Sequence, residues 1–435
     1  MEYSVEQEPN RAIITSKWGE IETAEVKKDT QVRYLGGVKS PILTEVKKSD
    51  KVTVLEDEDD WMKVATADGY VGYIKTKFLK NQKKEKTSRD FTEPVYSDMT
   101  EDHSINMAWH NVTNAAANNA VQQVLASTSG LTTIAPTWFS LADTEGNISS
   151  IADADYVNYA HTAGLEVWAV FRDFHGGTNS YDETYETLRY TSKRAKLEDQ
   201  VVAAAVAAGV DGINLDFELI SSKCGVHYVQ LVRELSVKCH QNNLVFSVDN
   251  YVPQSYNSHY DLKEQGIVAD YVVIMAYDEH TEGSYEAGSV ASISYLQDGI
   301  EKTLKKVSAD KVIAGIPFFT RLWFETAKSP EQLSEEAGTE AASYPNKVSS
   351  KALGMEEAAQ SVVNAGATAQ WDEKTQQNYA KWSADGGTYR IWLEDAQSLE
   401  AKLKVIQENK LAGVAEWSLG KEESSVWKLI SQYVN

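Results

Sequence analysis

The stretch Asp211-Gly212-Ile213-Asn214-Leu215-Asp216-Phe217-Glu218 decides the reading of this chain. Successive side chains of a strand point to opposite faces, so Asn214, Asp216 and Glu218 share one face while Ile213, Leu215 and Phe217 share the other. A strand that is apolar on one side and acidic on the other needs a covering layer for the first and a use for the second. Carboxylates turned toward a protein interior are costly unless paired or employed.

The same kind of apolar run recurs on either side of it. From Tyr96 onward the runs are Ile105–His110, Thr132–Trp138, Leu165–Phe171, Asp211–Glu218, Leu244–Val248, Tyr271–Tyr277, Val312–Phe319 and Gly413–Ser418. Most intervening segments, among them Asn114–Ser127, Glu183–Ala208, Val226–Asn242 and Tyr295–Val307, have helical period and length. Strand and helix in strict alternation predict a parallel sheet, and eight such units predict a closed (β/α)8 barrel, an α/β fold spanning residues 96–435. The interval between the seventh and eighth strands is too long for a connection. Residues 321–391, with strand-like segments at Thr368–Trp371 and Thr388–Trp392, are expected to form an inserted α+β lobe walling one side of the site.

In such a barrel the apolar face packs on the helices, the polar face enters the barrel, and Glu218 ends nearest the C-terminal mouth where active sites form. Crowding Asp211, Asp216 and Glu218 makes it hard to ionise all three, which keeps one carboxyl protonated near neutral pH. Glu218 is the natural proton donor. The competing explanations are a satisfied polar cluster or a divalent cation site. The second is disfavoured because no His joins the acids and one strand carries them all, whereas hard cations draw oxygens from several segments. No metal or cofactor is expected.

The motif Asp211-Gly212-x-Asn214-x-Asp216-x-Glu218 resembles the signature of glycoside hydrolase family 18. That resemblance implies Glu218 as general acid and Asp216 as the group that assists the substrate's N-acetyl group. Met275-Ala276-Tyr277-Asp278 resembles the family's Met-x-Tyr, with Tyr277 implied to bind the acetamido carbonyl and Met275 and Asp278 beside it. Trp417, in Ala415-Glu416-Trp417-Ser418, sits where the family places the tryptophan under the sugar ring, a use that suits an aromatic face. The implied mechanism is retaining and substrate-assisted, without a protein nucleophile. Asn214 stands where the commonest pattern has Asp, and Glu166–Arg172 lacks the Ser-x-Gly-Gly of typical chitinases. Asn214, Pro136-Thr137-Trp138-Phe139 and Tyr389-Arg390-Ile391-Trp392 resemble the branch of spore-germination and cortex-lytic N-acetylglucosaminidases. The expected substrate is a polysaccharide containing N-acetylglucosamine, cut in peptidoglycan of wall or spore cortex. The alternatives are a chitinase-like hydrolase and a lectin-like barrel that binds without cleaving.

Upstream, Ile42–Val46, Lys51–Leu55, Trp61–Thr66 and Tyr70–Ile74 read as short strands, with Asp68-Gly69 a two-residue hairpin signal. Residues 32–80 resemble bacterial SH3-like modules, implying a small all-β barrel whose partner is a cell-wall peptide or glycan. Trp61 and Tyr73 occupy strand positions that can face its core. Residues 1–31 read as a truncated or extended leading segment and residues 81–95 as a charged linker.

The chain has 435 residues, 42% of them hydrophobic, with eleven Trp, enough for a packed core. Its 64 acidic and 42 basic residues leave a net charge of −22, which disfavours nucleic acid as a partner. Apolar runs such as Val201–Val210 are too short to span a bilayer, and no targeting signal opens the chain. An extracellular, envelope or spore location is expected from the wall resemblance. Cys224 and Cys239 suit neither a disulfide nor a metal spacing and read as inert thiols. No G-x-S-x-G, Walker A or dinucleotide-binding glycine pattern occurs.

Overall fold

The computed structural model describes residues 20–86 and 98–434. The chain divides into two compact units between residues 95 and 96.

The first unit is an antiparallel sheet of seven strands: β1 (Glu20–Val26), β2 (Thr30–Arg33), β3 (Ile42–Val46), β4 (Lys51–Glu58), β5 (Trp61–Ala65), β6 (Val71–Lys75) and β7 (Leu79–Lys86), in the order β3-β2-β6-β5-β4-β1-β7. Alternation puts Val26, Val32, Met62, Val64 and Ile74 into one core. Gly69, at φ +91°, makes the tight turn that Asp68-Gly69 signals. Three features depart from expectation. Residues 20–31, read from sequence as leading segment, supply β1 and the start of β2, because the weak alternation of Glu20–Val26 hides a strand whose Ala24 and Val26 are buried. Residues 81–86, read as linker, continue β7 against β1 through Lys86↔Glu20. Trp61 and Tyr73 turn outward, since Met62, Val64, Gly72 and Ile74 take the inward positions. Residues 1–19 and the rest of the expected linker, 87–95, lie outside the described residues.

The second unit begins with β8 (Ile105–His110), α1 (Val121–Leu125), β9 (Thr133–Pro136), β10 (Phe139–Leu141), β11 (Ile148–Ser150), α2 (Ala154–Thr162) and β12 (Glu166–Arg172). It continues through α3 (Tyr181–Leu188), α4 (Thr191–Ala208), β13 (Gly212–Asp216), α5 (Gly225–Gln241), β14 (Val245–Tyr251), α6 (Leu262–Val268), β15 (Tyr271–Met275), α7 (Ile293–Leu304) and β16 (Val312–Pro317). The inserted lobe follows as β17 (Phe319–Ala327), α8 (Pro330–Glu335), β18 (Asn346–Gly354), α9 (Met355–Asn364), β19 (Gln370–Asp372), β20 (Gln377–Ala384) and β21 (Gly387–Leu393). The chain then returns through α10 (Ala396–Glu408) and β22 (Gly413–Trp417) to α11 (Val426–Val434).

Strands β8, β9, β12, β13, β14, β15, β16 and β22 pair in parallel, and the β12–β9 and β22–β8 pairings close the barrel. All eight expected strands are present. Alternation sorts the side chains into two cores. Ile213, Leu215, Val248 and Val414 face the helices, whereas Met107, Val170, Val273 and Ala415 fill the barrel. Each large apolar side chain so buried contributes roughly 1.5–3 kcal/mol. Gly209, at φ +77°, caps α4 with its N–H on the Ala205 carbonyl and turns the chain directly into β13. The lobe is a five-stranded sheet in the order β18-β17-β21-β20-β19, with α9 packed on it through Ala358 and Val362.

Candidate active site

A cavity opens at the C-terminal ends of the barrel strands, lined by Asp216, Glu218, Asp249, Tyr277 and Trp417 together with Trp109, Phe174, Tyr251, Met275 and Asp278. Six of the eight residues singled out from sequence therefore meet there. A seventh, Asn214, lies one layer deeper and is fully buried. The eighth, Asp211, does not belong to the site. It precedes β13 at the opposite end of the barrel, where its carboxylate binds His161 Nε2 at 2.8 Å and accepts the Val167 N–H at 2.8 Å. Strand geometry explains this: five residues at 3.3 Å each put the two ends of one strand on opposite faces of the barrel.

The acids that crowd Asp216 are Glu218, just beyond its own strand, and Asp249 and Asp173 from the strands on either side. Asp216 is buried, its Oδ1 has no partner among the described residues, and burial pushes its carboxyl well up, helped by the charges of Glu218, Asp249 and Asp173. Arg172, beside it in register across β12 and β13, works in the opposite direction. Asp249 on β14 is pushed up to about 8, chiefly by burial. Asn214 ties this layer together: its Oδ1 accepts the Trp109 indole N–H at 3.0 Å, and its Nδ2 donates to Ser247 Oγ at 2.9 Å and Asp249 Oδ1 at 2.7 Å. A carboxylate here could accept from the Ser247 hydroxyl but could not donate to Asp249. The amide thus serves as donor to one buried acid where a further carboxylate would have repelled it.

Glu218 sits just past the end of β13, half-buried. Burial raises its pKa, and a hydrogen bond from the Tyr251 hydroxyl to Oε2 holds it down. Its backbone is fixed by Asp173, a fully buried residue after β12. The Asp173 carboxylate accepts Glu218 N–H at 2.9 Å, Leu219 N–H at 3.0 Å and Thr184 Oγ1 at 3.1 Å. Burial lifts Asp173 to about 7. Tyr260 adds a hydroxyl bond to the Glu218 carbonyl at 3.1 Å.

The aromatic wall is built edge to face. Trp109 meets Tyr277 at 6.4 Å and 83° and Trp417 at 5.9 Å and 59°, geometries favoured by ring quadrupoles. Gly315 makes room for it: a Cβ there would stand 3.2 Å from Tyr277 Cε1 and 2.9 Å from the Ile274 carbonyl oxygen. Asp278, exposed at the rim, holds φ +57°, a backbone strain of the kind that concentrates at functional sites. The cluster holds no group of three or more His, Cys, Asp or Glu able to bind a metal ion among the described residues. Cys224 and Cys239 are buried and free, and burial pushes Cys224 up to about 12, consistent with inert thiols. No helix of the described residues is long and apolar enough to cross a membrane.

Asp249, Tyr251, Asp173, Arg172 and Trp109 escaped the sequence reading. A signal existed, since all five stand at or just beyond the C-terminal ends of their strands.

Comparison with known proteins finds relatives for both units. The profile described as bacterial SH3 domain matches residues 27–80, within the first unit. Among curated proteins, an uncharacterized glycosylase YvbX of Bacillus subtilis is 26% identical over 295 residues, covering 66% of this chain and 80% of that protein. A cortical fragment-lytic enzyme of the same organism is 27% identical over 256 residues, covering 56% and 54% respectively, so the chain spans only about half of that relative. The Bacillus megaterium spore cortex-lytic enzyme SleL shares the fold at TM-score 0.62 and 19% identity, over 84% of this chain and 77% of that one. The profile of glycosyl hydrolases family 18 matches residues 174–422, more than half of the chain, which runs from Phe174 at the cavity wall past Trp417. The chain belongs to glycosyl hydrolases family 18 and is a glycosidase.

Proposed function

We propose that this glycosidase cleaves β-1,4 bonds next to N-acetylglucosamine in bacterial cell-wall or spore-cortex peptidoglycan, by a retaining, substrate-assisted reaction. One observation carries the reading: Asp216 and Glu218 line one cavity with Tyr277 and Trp417, and no other charged side chain stands between the two acids along the chain. In the reaction, Glu218 gives its proton to the glycosidic oxygen as that bond breaks. The substrate's own acetamido oxygen attacks the anomeric carbon, with Asp216 orienting and stabilising the developing charge on that group. Tyr277 binds the acetamido oxygen, and Trp417 carries the sugar's apolar face. Water then opens the oxazolinium ring, giving a proton to Glu218 as base. Met275 and Asp278 complete the sugar pocket, and Asn214 acts from behind it through Asp249.

The bond from Tyr251 supports Glu218 as donor. With Oε2 accepting from the phenol, the proton of the carboxylic acid rests on Oε1 and is free to leave. For the first unit we propose attachment to a wall peptide or glycan. Its outward Trp61 lines one open cavity with the cations Lys28, Arg33 and Lys75 and the acids Asp29 and Glu45, a mixed lining that suits a ligand bearing both charges, such as a peptide. The proposed place of action is accordingly the cell envelope or the spore.

The test is release of reducing N-acetylglucosaminyl ends from purified peptidoglycan and, in parallel, from chitin oligomers, with the intact chain and Glu218→Gln. The reading expects peptidoglycan cleavage that the variant loses by about 100-fold or more. Binding of either polymer without turnover would replace it with a lectin-like function.

A further inference from the structure

Cleaving a neutral sugar chain gives no use to a pair of cations acting on Asp278, which lines this acidic cavity. Lys421, which follows β22, is locked to the lobe by its backbone: its carbonyl accepts the Met355 N–H at 2.8 Å, and Gly354 packs so closely that a Cβ would stand 3.0 Å from that same oxygen. Its Nζ lies 5.1 Å over the Phe319 ring. Among the described residues it has no hydrogen-bond or ion-pair partner. Arg321, on β17, donates Nη1 to Ser350 Oγ at 3.0 Å, while its buried Nε has no acceptor. Both cations act on Asp278: desolvation raises its carboxyl, and Arg321 and Lys421 oppose that rise. Desolvation lowers Lys421, with Asp278 opposing the fall and Arg321 adding to it.

Two positive groups thus share one carboxylate. The acids deeper in the cavity are pushed toward their neutral forms by burial and offset little of the excess. A chain of net charge −22 has kept one uncompensated positive charge here, half-buried and held by the lobe. An anion at this place would compensate the ammonium and the guanidinium together, and charge-assisted bonds of this kind are the strong ones.

We propose that Lys421 and Arg321 form an anion-recognition subsite beside the cavity, which takes a carboxylate carried by the sugar next to the one on Trp417. The enzyme then prefers acidic glycans containing N-acetylglucosamine over neutral ones of equal length. This rests on peptidoglycan as the substrate. In that polymer the carboxylate comes either from the O-lactyl group of alternate sugars or from a peptide attached to it.

The experiment measures kcat/KM for the intact chain, Lys421→Met and Lys421→Arg. The substrates are four oligosaccharides of one length: a neutral N-acetylglucosamine oligomer, an alternating oligomer with free O-lactyl carboxylates, the same oligomer with those carboxylates amidated, and one bearing peptides. For the intact chain the acidic-to-neutral ratio is expected to exceed one and to collapse on amidation. Lys421→Met should lower that ratio about tenfold or more, and Lys421→Arg should restore most of it. Advantage on the lactyl or on the peptide-bearing oligomer identifies the source. A ratio that Lys421→Met leaves unchanged, with all four glycans cleaved, would overturn the subsite alone and leave the cations to neutralise Asp278. Cleavage of the neutral oligomer alone overturns the peptidoglycan reading and the subsite with it.

Discussion

Tyr251 donates its phenolic hydrogen to Oε2 of Glu218, and of the influences on that carboxyl this bond opposes the effect of burial. The bond lowers the Glu218 pKa, so Tyr251→Phe is expected to raise it. The alkaline limb of the kcat/KM profile, where the acid loses its proton, should move to higher pH. The maximal rate should fall about 10-fold or more as the proton loses its fixed position. A pH–rate profile on chitin oligomers checks this, and an unmoved alkaline limb would contradict it.

Asp173 reaches the reaction through the backbone. Its carboxylate holds the N–H groups of Glu218 and Leu219, so Asp173→Ala leaves those donors and the Thr184 hydroxyl without their acceptor. Each buried unsatisfied group costs about 1–3 kcal/mol. The expected result is a lower melting midpoint and a kcat reduced about 10-fold or more, because a small displacement of Glu218 spoils proton transfer. KM for an oligosaccharide should change far less, since Asp173 does not line the cavity. Steady-state kinetics beside a thermal melt separate the two effects.

The residues that the sequence made legible share one property. Period-two alternation along single strands was enough to bring Asp216, Met275 and Tyr277 to a common interior, because inward and outward faces follow from the local pattern alone. What alternation could not supply was the partner across the barrel. Asn214 bonding Trp109 on β8 and Asp249 on β14 depends on closure and register, which are set by pairings far apart in sequence. Asp211 shows the converse error. Its place in a motif suggested proximity to Glu218, while a strand's length separates the two. The first unit hid β1 and β7 for a different reason: the charged edge strand β7 buries little, and the inner strand β1 interleaves four acidic or polar residues with its buried Ala24 and Val26, so the hydrophobic pattern of both is faint.

Gly315 on β16 leaves the space that the Tyr277 ring occupies. Gly315→Ala would set a methyl 3.2 Å from Tyr277 Cε1 and 2.9 Å from a carbonyl oxygen on the adjacent strand. Overpacking of this sort costs about 1–3 kcal/mol. The ring is the softer of the two neighbours, so the displacement should appear in acetamido binding. The expected outcome is a kcat/KM lower by about 10-fold on N-acetylated oligomers with the secondary structure intact by circular dichroism. A drop in stability with normal kcat/KM would mean that the backbone yields instead of the ring.

Asp249 gives the fold a pH dependence of definite sign. Its carboxyl is raised from the ordinary 3.8 to about 8, mainly by burial. A raised folded-state pKa means that the unfolded chain releases this proton first as pH climbs. The stability it contributes is fully present below about 4 and is lost progressively up to about 8. Asp216 and Asp173, also raised, act in the same direction. Asp249→Asn removes one ionisable group while its amide oxygen can still accept from Asn214 Nδ2. Thermal melts between pH 4 and 8 should therefore show a shallower fall of the midpoint for the variant than for the intact chain, with the two curves converging at the acid end. Equal slopes across that window would mean that Asp249 is already ionised in the folded protein, and that Asn214 alone offsets the burial of its charge.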